Sequence, residues 1–187
     1  MNATEALLQR VSSSKLVDPA PDGPQREIIF SAALRAADHG RLRPWRFLVI
    51  EGHGRERLGE LFAQVAAEQE PTLSPVALER ERQKPLRAPM IVVVVARCEE
   101  HPKVPVIEQV ISAGAAAQNM ITAAYALGLG AIWRTGPLAY DRRIRSGLGL
   151  NEPEQIVGFV YIGTPAVPTG APPAVSHRDF FSPWPAL

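Results

Sequence analysis

Seven consecutive apolar residues, Met90-Ile-Val-Val-Val-Val-Ala96, stand between Pro89 and Arg97. A run this short and this rich in β-branched side chains reads as a core strand, and it is far too short to cross a bilayer. Such a strand needs partners. Phe47-Leu-Val-Ile50, Gly130-Ala-Ile-Trp133 and Ile156-Val-Gly-Phe-Val-Tyr-Ile162 are the other short apolar segments that supply them. Between them lie helical periodicities. Asn2-Ala-Thr-Glu5 opens a short helix with a capping-box pattern. Pro24 opens a second helix carrying Ile28, Ile29, Ala32, Ala33 and Ala36. Leu58, Leu61, Phe62 and Val65 mark a third, and residues 76–83 a short charged one. Residues 106–127 form a long small-residue helix, stopped by Gly128 and expected to be buried on most sides. A last short helix spans 141–148. These elements predict one α+β domain over residues 1–187, a mixed central sheet with flanking helices. Residues 164–187 carry Pro165, Pro168, Pro172, Pro173, Pro183 and Pro185, so they are expected to run as an extended tail outside the sheet centre.

Twenty basic against nineteen acidic residues leave a net charge of +1, so no global field draws the chain to nucleic acid or to an acidic membrane. Cys98 is the sole cysteine, and Met1-Asn-Ala-Thr-Glu5 lacks the layout of a secretory signal, which together predict a reducing cytoplasmic setting. The four histidines are scattered without metal-ligand spacing, so no metal is expected. Gly128-Leu-Gly130 follows a helix and precedes a strand, the reverse of the order a dinucleotide fingerprint requires. Neither a nucleophile elbow nor a phosphate-binding loop signature occurs.

Three short segments concentrate polar chemistry. Arg10 and Ser12 close the first helix, where a guanidinium and a hydroxyl either bind an anion or remain solvated. Arg35 and His39 lie one helical turn apart if the second helix persists, ahead of Pro44 and Trp45. His39 then faces a ligand or interacts with the helix dipole. Trp133-Arg134-Thr135-Gly136 follows a strand with an aromatic, a cation, a hydroxyl and a flexible backbone in succession. That set either borders a planar polar cofactor or divides into a core Trp and a surface Arg.

Taken in order, Arg10-x-Ser12, Arg35-Ala-x-Asp-His39, Pro44-Trp45-x-Phe47, Arg87-Ala-Pro89, Lys103-Val-Pro105, Ser112-Ala-Gly114, Gly130-x-Ile-Trp133-Arg134-x-Gly136 and Ile156-Val-Gly158 resemble the FMN-dependent nitroreductase family. The likeness covers nearly the whole chain and is greatest to the minimal single-domain branch of NAD(P)H nitroreductases. It implies an intertwined homodimer with FMN sites built from both subunits. It also implies ping-pong transfer from NADH or NADPH to a nitroaromatic, quinone or similar small-molecule acceptor. By matched position it places Arg10, Val11, Ser12, Arg35, His39, Trp133, Arg134 and Thr135 around FMN, with no obligatory catalytic side chain. The chain departs from that branch at Val11, where a second Arg is usual, and at Thr135, where Ser is usual. A lost charge-assisted hydrogen bond is worth about 1.5–3 kcal/mol when desolvated, so Val11 is expected to weaken FMN binding, whereas Thr135 keeps its hydroxyl. A flavin storage or sensor protein, and flavin fragmentation or reductive dehalogenation on the same scaffold, are the competing readings.

Overall fold

A computed structural model describes residues 1–184; Pro185 and the last two residues of the expected tail lie outside the described residues. The helices are α1 (Ala3–Gln9), α2 (Gly23–Ala33), α3 (His53–Gln69), α4 (Pro75–Gln83), α5 (Val106–Ala126), α6 (Pro137–Tyr140) and α7 (Arg142–Gly147). The strands are β1 (Leu16–Val17), β2 (Trp45–Glu51), β3 (Met90–Ala96), β4 (Gly130–Arg134) and β5 (Gln155–Pro165).

Every side chain of β3 is buried, because the strand runs between β2 and β5 with helices over both sheet faces. Alternate residues point to opposite faces of a strand. Met90, Val92 and Val94 therefore join Val160 and Ile162 under α2 and α5, while Ile91, Val93 and Val95 join Phe159 and Tyr161 under α3 and α7. β5 carries β3 on one side and β4 on the other, and its last residues pair with β1. The sheet was expected to be mixed. All the pairings among its described strands are antiparallel. A register shift where Val94 and Val95 meet β5 turns Val157 and Gly158 relative to the rest of the strand.

Local chemistry sets the element ends. Asn2 and Glu5 exchange side-chain and backbone hydrogen bonds at 2.9 and 3.0 Å, and Asp22 and Gln25 do the same ahead of α2. α2 stops at Ala33, short of Ala36, so Arg35 and His39 share no helix face. The cause lies just beyond. The Asp38 carboxylate accepts from the backbone N–H of Leu42 at 3.2 Å and of Arg43 at 2.8 Å, which draws the chain into a turn instead of another helical step. Gly40, Arg41 and Arg43 adopt left-handed backbone there, with φ of 77°, 57° and 49°.

Three further features differ from expectation. Thr164 and Pro165, assigned to the tail, belong to β5; the next N–H, that of Ala166, donates to Lys15 at 3.1 Å, so the donor missing from Pro165 is not needed. α5 is buried along Ala113, Ala116, Ala117, Met120 and Ala124. Its outer stripe is open, with Ile107 and Ile111 each 62% exposed one turn apart. The segment after β4, where the sequence predicted no helix, closes into α6 with Pro137 in its first turn. From 166 to 184 the chain contains only a 3-10 turn at His177–Asp179, and Phe180, Phe181 and Trp184 are exposed. None of the described helices is long and apolar enough to cross a membrane.

Candidate functional site

Sequence neighbours on a strand face opposite ways, and β4 shows what that does to Trp133 and Arg134. Trp133 turns toward α5: its Nε1 donates to the Val157 carbonyl at 3.3 Å, and Gly114 of α5 faces the far edge of the indole. The indole lies across Gly158, where a Cβ would come within 2.0 Å of Nε1, so the turned backbone of β5 and the absence of a side chain there make room for it. Arg134 turns toward α3. Phe159 stands directly opposite in the ladder, but the Phe62 ring meets it edge-on at 5.6 Å and 84°. The guanidinium takes the diagonal neighbour instead, with Cζ 5.7 Å from the centre of the Tyr161 ring.

These groups wall a cavity of about 420 Å³ between the end of β4, α3 and α6. Phe62, Phe159 and Tyr161 give it aromatic surface, Lys84, Arg87 and Arg134 give it positive charge, and Thr135 and Gly136 line its mouth; no carboxylate side chain stands in the wall. Glu81 engages Lys84. Among the described residues Arg87 and Arg134 have no carboxylate within ion-pairing distance, and the buried Nε of Arg134 has no hydrogen-bond partner. Burial pushes the Tyr161 phenol up to about 12, while the charges of Arg134 and Arg87 pull in the opposite direction. Uncompensated guanidinium groups in a partly desolvated cavity favour an anion, and flat aromatic walls favour a planar one. Gly136 has φ of 108°, a backbone conformation that a Cβ would strain.

The remaining expected site residues divide between two places. Arg10 caps α1, with its N–H donating to Ala6 at 3.2 Å, and Val11 and Ser12 follow. The next residue, Ser13, donates from its backbone to Ala131 at 3.0 Å, which ties this segment to β4. Arg35 and His39 do not line the β4 cavity. Arg35 lies in a shallow depression on α2 with Glu27, Ile28 and Ser31. His39 is exposed, and its Nδ1 lies 2.6 Å from Glu108 Oε2 on α5, which leaves Nε2 without a hydrogen bond among the described residues. Ser112 ties the same loop to α5, donating to Ala37 at 2.6 Å. Within one chain the fold therefore gathers Trp133, Arg134 and Thr135 at one cavity, sets Arg10-Val11-Ser12 against the same strand, and keeps Arg35 and His39 apart.

Lys84 and Glu108 were not singled out from the sequence, Phe62 and Tyr161 only as members of a helix and a strand, and Arg87 only as part of a motif. Lys84 and Arg87, three residues apart immediately before a core strand, were a usable signal for two cations at one sheet edge. Tyr161 and Glu108 needed the register of β5 and the path of the 38–43 loop. Among the described residues no group of three or more His, Cys, Asp or Glu side chains could hold a metal ion.

Comparison with known proteins gives a consistent neighbourhood. The family model described as "Nitroreductase family" matches residues 7–164. The Escherichia coli K12 protein named "Putative NAD(P)H nitroreductase YdjA" is 46% identical over 167 residues, 88% of this chain and 89% of that protein. The crystal structure of a nitroreductase-like family protein from Bacillus cereus superposes with a TM-score of 0.83 at 22% identity, over 100% of this chain and 97% of that one. The crystal structure of an FMN- and NADPH-dependent nitroreductase, NfnB from Sphigopyxis sp. strain HMH, superposes with a TM-score of 0.78 at 19% identity, over the full length of both chains.

Proposed function

The chain belongs to the nitroreductase family of oxidoreductases, and on that premise we propose that it is an FMN-dependent NAD(P)H reductase of nitroaromatic, quinone or similar electrophilic acceptors. The observation that carries this reading is the cavity at the end of β4, with its aromatic walls and two guanidinium groups that lack a carboxylate partner among the described residues. That donor set suits FMN, a planar heterocycle bearing a phosphate. When bound, FMN supplies the redox chemistry, taking electrons from NADH or NADPH in one half-reaction and passing them to the acceptor in another.

The chain's own residues bind, orient and neutralise. Arg134, with Lys84 and Arg87 beside it, holds negative charge at the cavity, and the backbone of Thr135 and Gly136 offers donors at its mouth. Trp133 fixes the strand edge beside the cavity, through its bond to Val157. Arg10 and Ser12, with the backbone of Val11, grip the phosphate and ribityl side. Arg35 and His39 reach the cofactor of a second copy, with Glu108 holding the imidazole so that Nε2 faces outward. Support for a homodimer comes from the apolar side chains left open on one layer: Leu7 and Leu8 on α1, Ile28 on α2, Ile107 and Ile111 on α5.

The test is a spectrum of purified protein saturated with FMN and then freed of excess cofactor. A bound-flavin spectrum that bleaches anaerobically with NADH or NADPH, and returns on adding a nitroaromatic or a quinone, is expected. Protein that stays colourless overturns the reading. A yellow protein that neither nucleotide bleaches is a flavin store or sensor instead. Sedimentation giving only monomer at micromolar protein with FMN present would remove the shared site.

A further inference from the structure

The geometry points to Tyr161 as a positioning residue that uses the face of its ring to hold Arg134 in the β4 cavity, an inference that rests on the FMN reading above. Arg134 is the only cation of β4; among the described residues no carboxylate pairs with it, and its buried Nε has no hydrogen-bond partner. A long cationic side chain in that condition ordinarily extends toward water. Here it folds over a phenol ring that is only 3% exposed.

The sheet register explains why that ring serves. The residue facing Arg134 across the ladder is Phe159, and Phe62 from α3 already packs edge-on against it. Tyr161, two residues further along β5 and on the same face, leaves its own face available beside the cavity. A cation over an aromatic face is attracted to the electron density of the ring, and the attraction grows as water is excluded. Tyr161 thereby keeps the guanidinium inside the cavity, close to Arg87, where an anionic ligand meets both. The role belongs to the ring face and not to the hydroxyl.

The experiment measures FMN dissociation constants by quenching of flavin fluorescence for wild type, Tyr161→Phe, Tyr161→Met, Arg134→Gln and the Tyr161→Met/Arg134→Gln double variant. Tyr161→Phe retains the ring and binds within about 2-fold of wild type, whereas Tyr161→Met weakens binding about 10-fold. The double variant binds no more weakly than Arg134→Gln alone, since the ring acts only through the guanidinium. Wild-type affinity in Tyr161→Met, an equal loss in Tyr161→Phe, or fully additive losses in the double variant would each overturn the inference. A measurement on the unaltered protein backs these up should Tyr161→Met not fold. The Tyr161 ring current shifts the Arg134 Nε–H proton resonance upfield in the cofactor-free protein, and an unshifted resonance overturns the clamp. That resonance is read without FMN, so failure of wild type to bind FMN strikes the proposed function and leaves this contact separately decided.

Discussion

The end of β4 and the loop from Asp38 to Arg43 carry the same kinds of side chain and treat them in opposite ways. In the loop the backbone is tightly specified: Asp38 accepts two N–H groups and three residues take left-handed conformations, yet His39, Arg41 and Arg43 remain exposed. At β4 the backbone is ordinary strand, and the side chains are enclosed, with Arg134 placed over the Tyr161 ring and Trp133 seated on Gly158. Water screens the exposed charges, whereas the enclosed ones act at close range in a poorer dielectric. One region is a finished pocket within the chain. The other keeps its cations exposed on a tightly ordered backbone, the disposition that the proposed site shared between two copies would use.

The contrast can be tested from its largest effect downward. Gly158→Ala drives a Cβ into the Trp133 indole and is expected to destabilise the fold by about 2–3 kcal/mol, read as a lower thermal midpoint together with an altered Trp133 environment. A variant as stable as wild type would mean that the indole moves freely and the pocket is less fixed than described. Arg134→Gln is expected to weaken FMN binding by about 2 kcal/mol, roughly 30-fold, because it removes a charge from a partly desolvated wall. His39→Ala in the loop should lose far less, and equal losses would erase the distinction between the two regions.

The alkaline limb of stability gives a third test. Tyr161 holds its proton in the folded chain up to about 12, above its ordinary value of 10.0, so the unfolded chain ionises first. Its contribution is complete below about pH 10 and declines as pH rises toward 12, by at most about 1.4 kcal/mol per pH unit. Urea midpoints of wild type and Tyr161→Phe should diverge in that window and run parallel below it; parallel behaviour throughout would place the phenol in water. The smallest effect belongs to the loop. Glu108→Gln breaks an exposed pair with His39 and should cost less than about 1 kcal/mol of stability. A larger loss would show that the loop is held by its charges and not by Asp38.

Much of the fold was legible because alternation and apolar runs are local properties. β3, the capping pattern at Asn2 and Glu5, and the α3 periodicity follow from neighbours in the chain. The end of α2 was not, since Ala36 continues a helical stripe as well as it fills a turn, and only the side chain of Asp38 decides between them. Nor could the stripe of Ile107 and Ile111 reveal that it stays open, because an apolar helix face is written identically for a core and for an interface. At the candidate site Trp133 and Arg134 line one cavity although strand geometry sends them to opposite faces, which their order in the sequence does not reveal. Lys84 and Tyr161 reach the same cavity from remote segments, a proximity that depends on the β4–β5 register.

The position of β5 governs the order in which the molecule can be made. Three of the other four described strands pair with it, although it follows all of them in the chain. Until residue 155 and its successors emerge, β2 and β3 can form only a two-stranded antiparallel pair. One flank of the wholly apolar β3 is then left as an open template for any passing chain. Sheet assembly therefore waits for β5, and nascent chains are most vulnerable to aggregation just before that strand arrives.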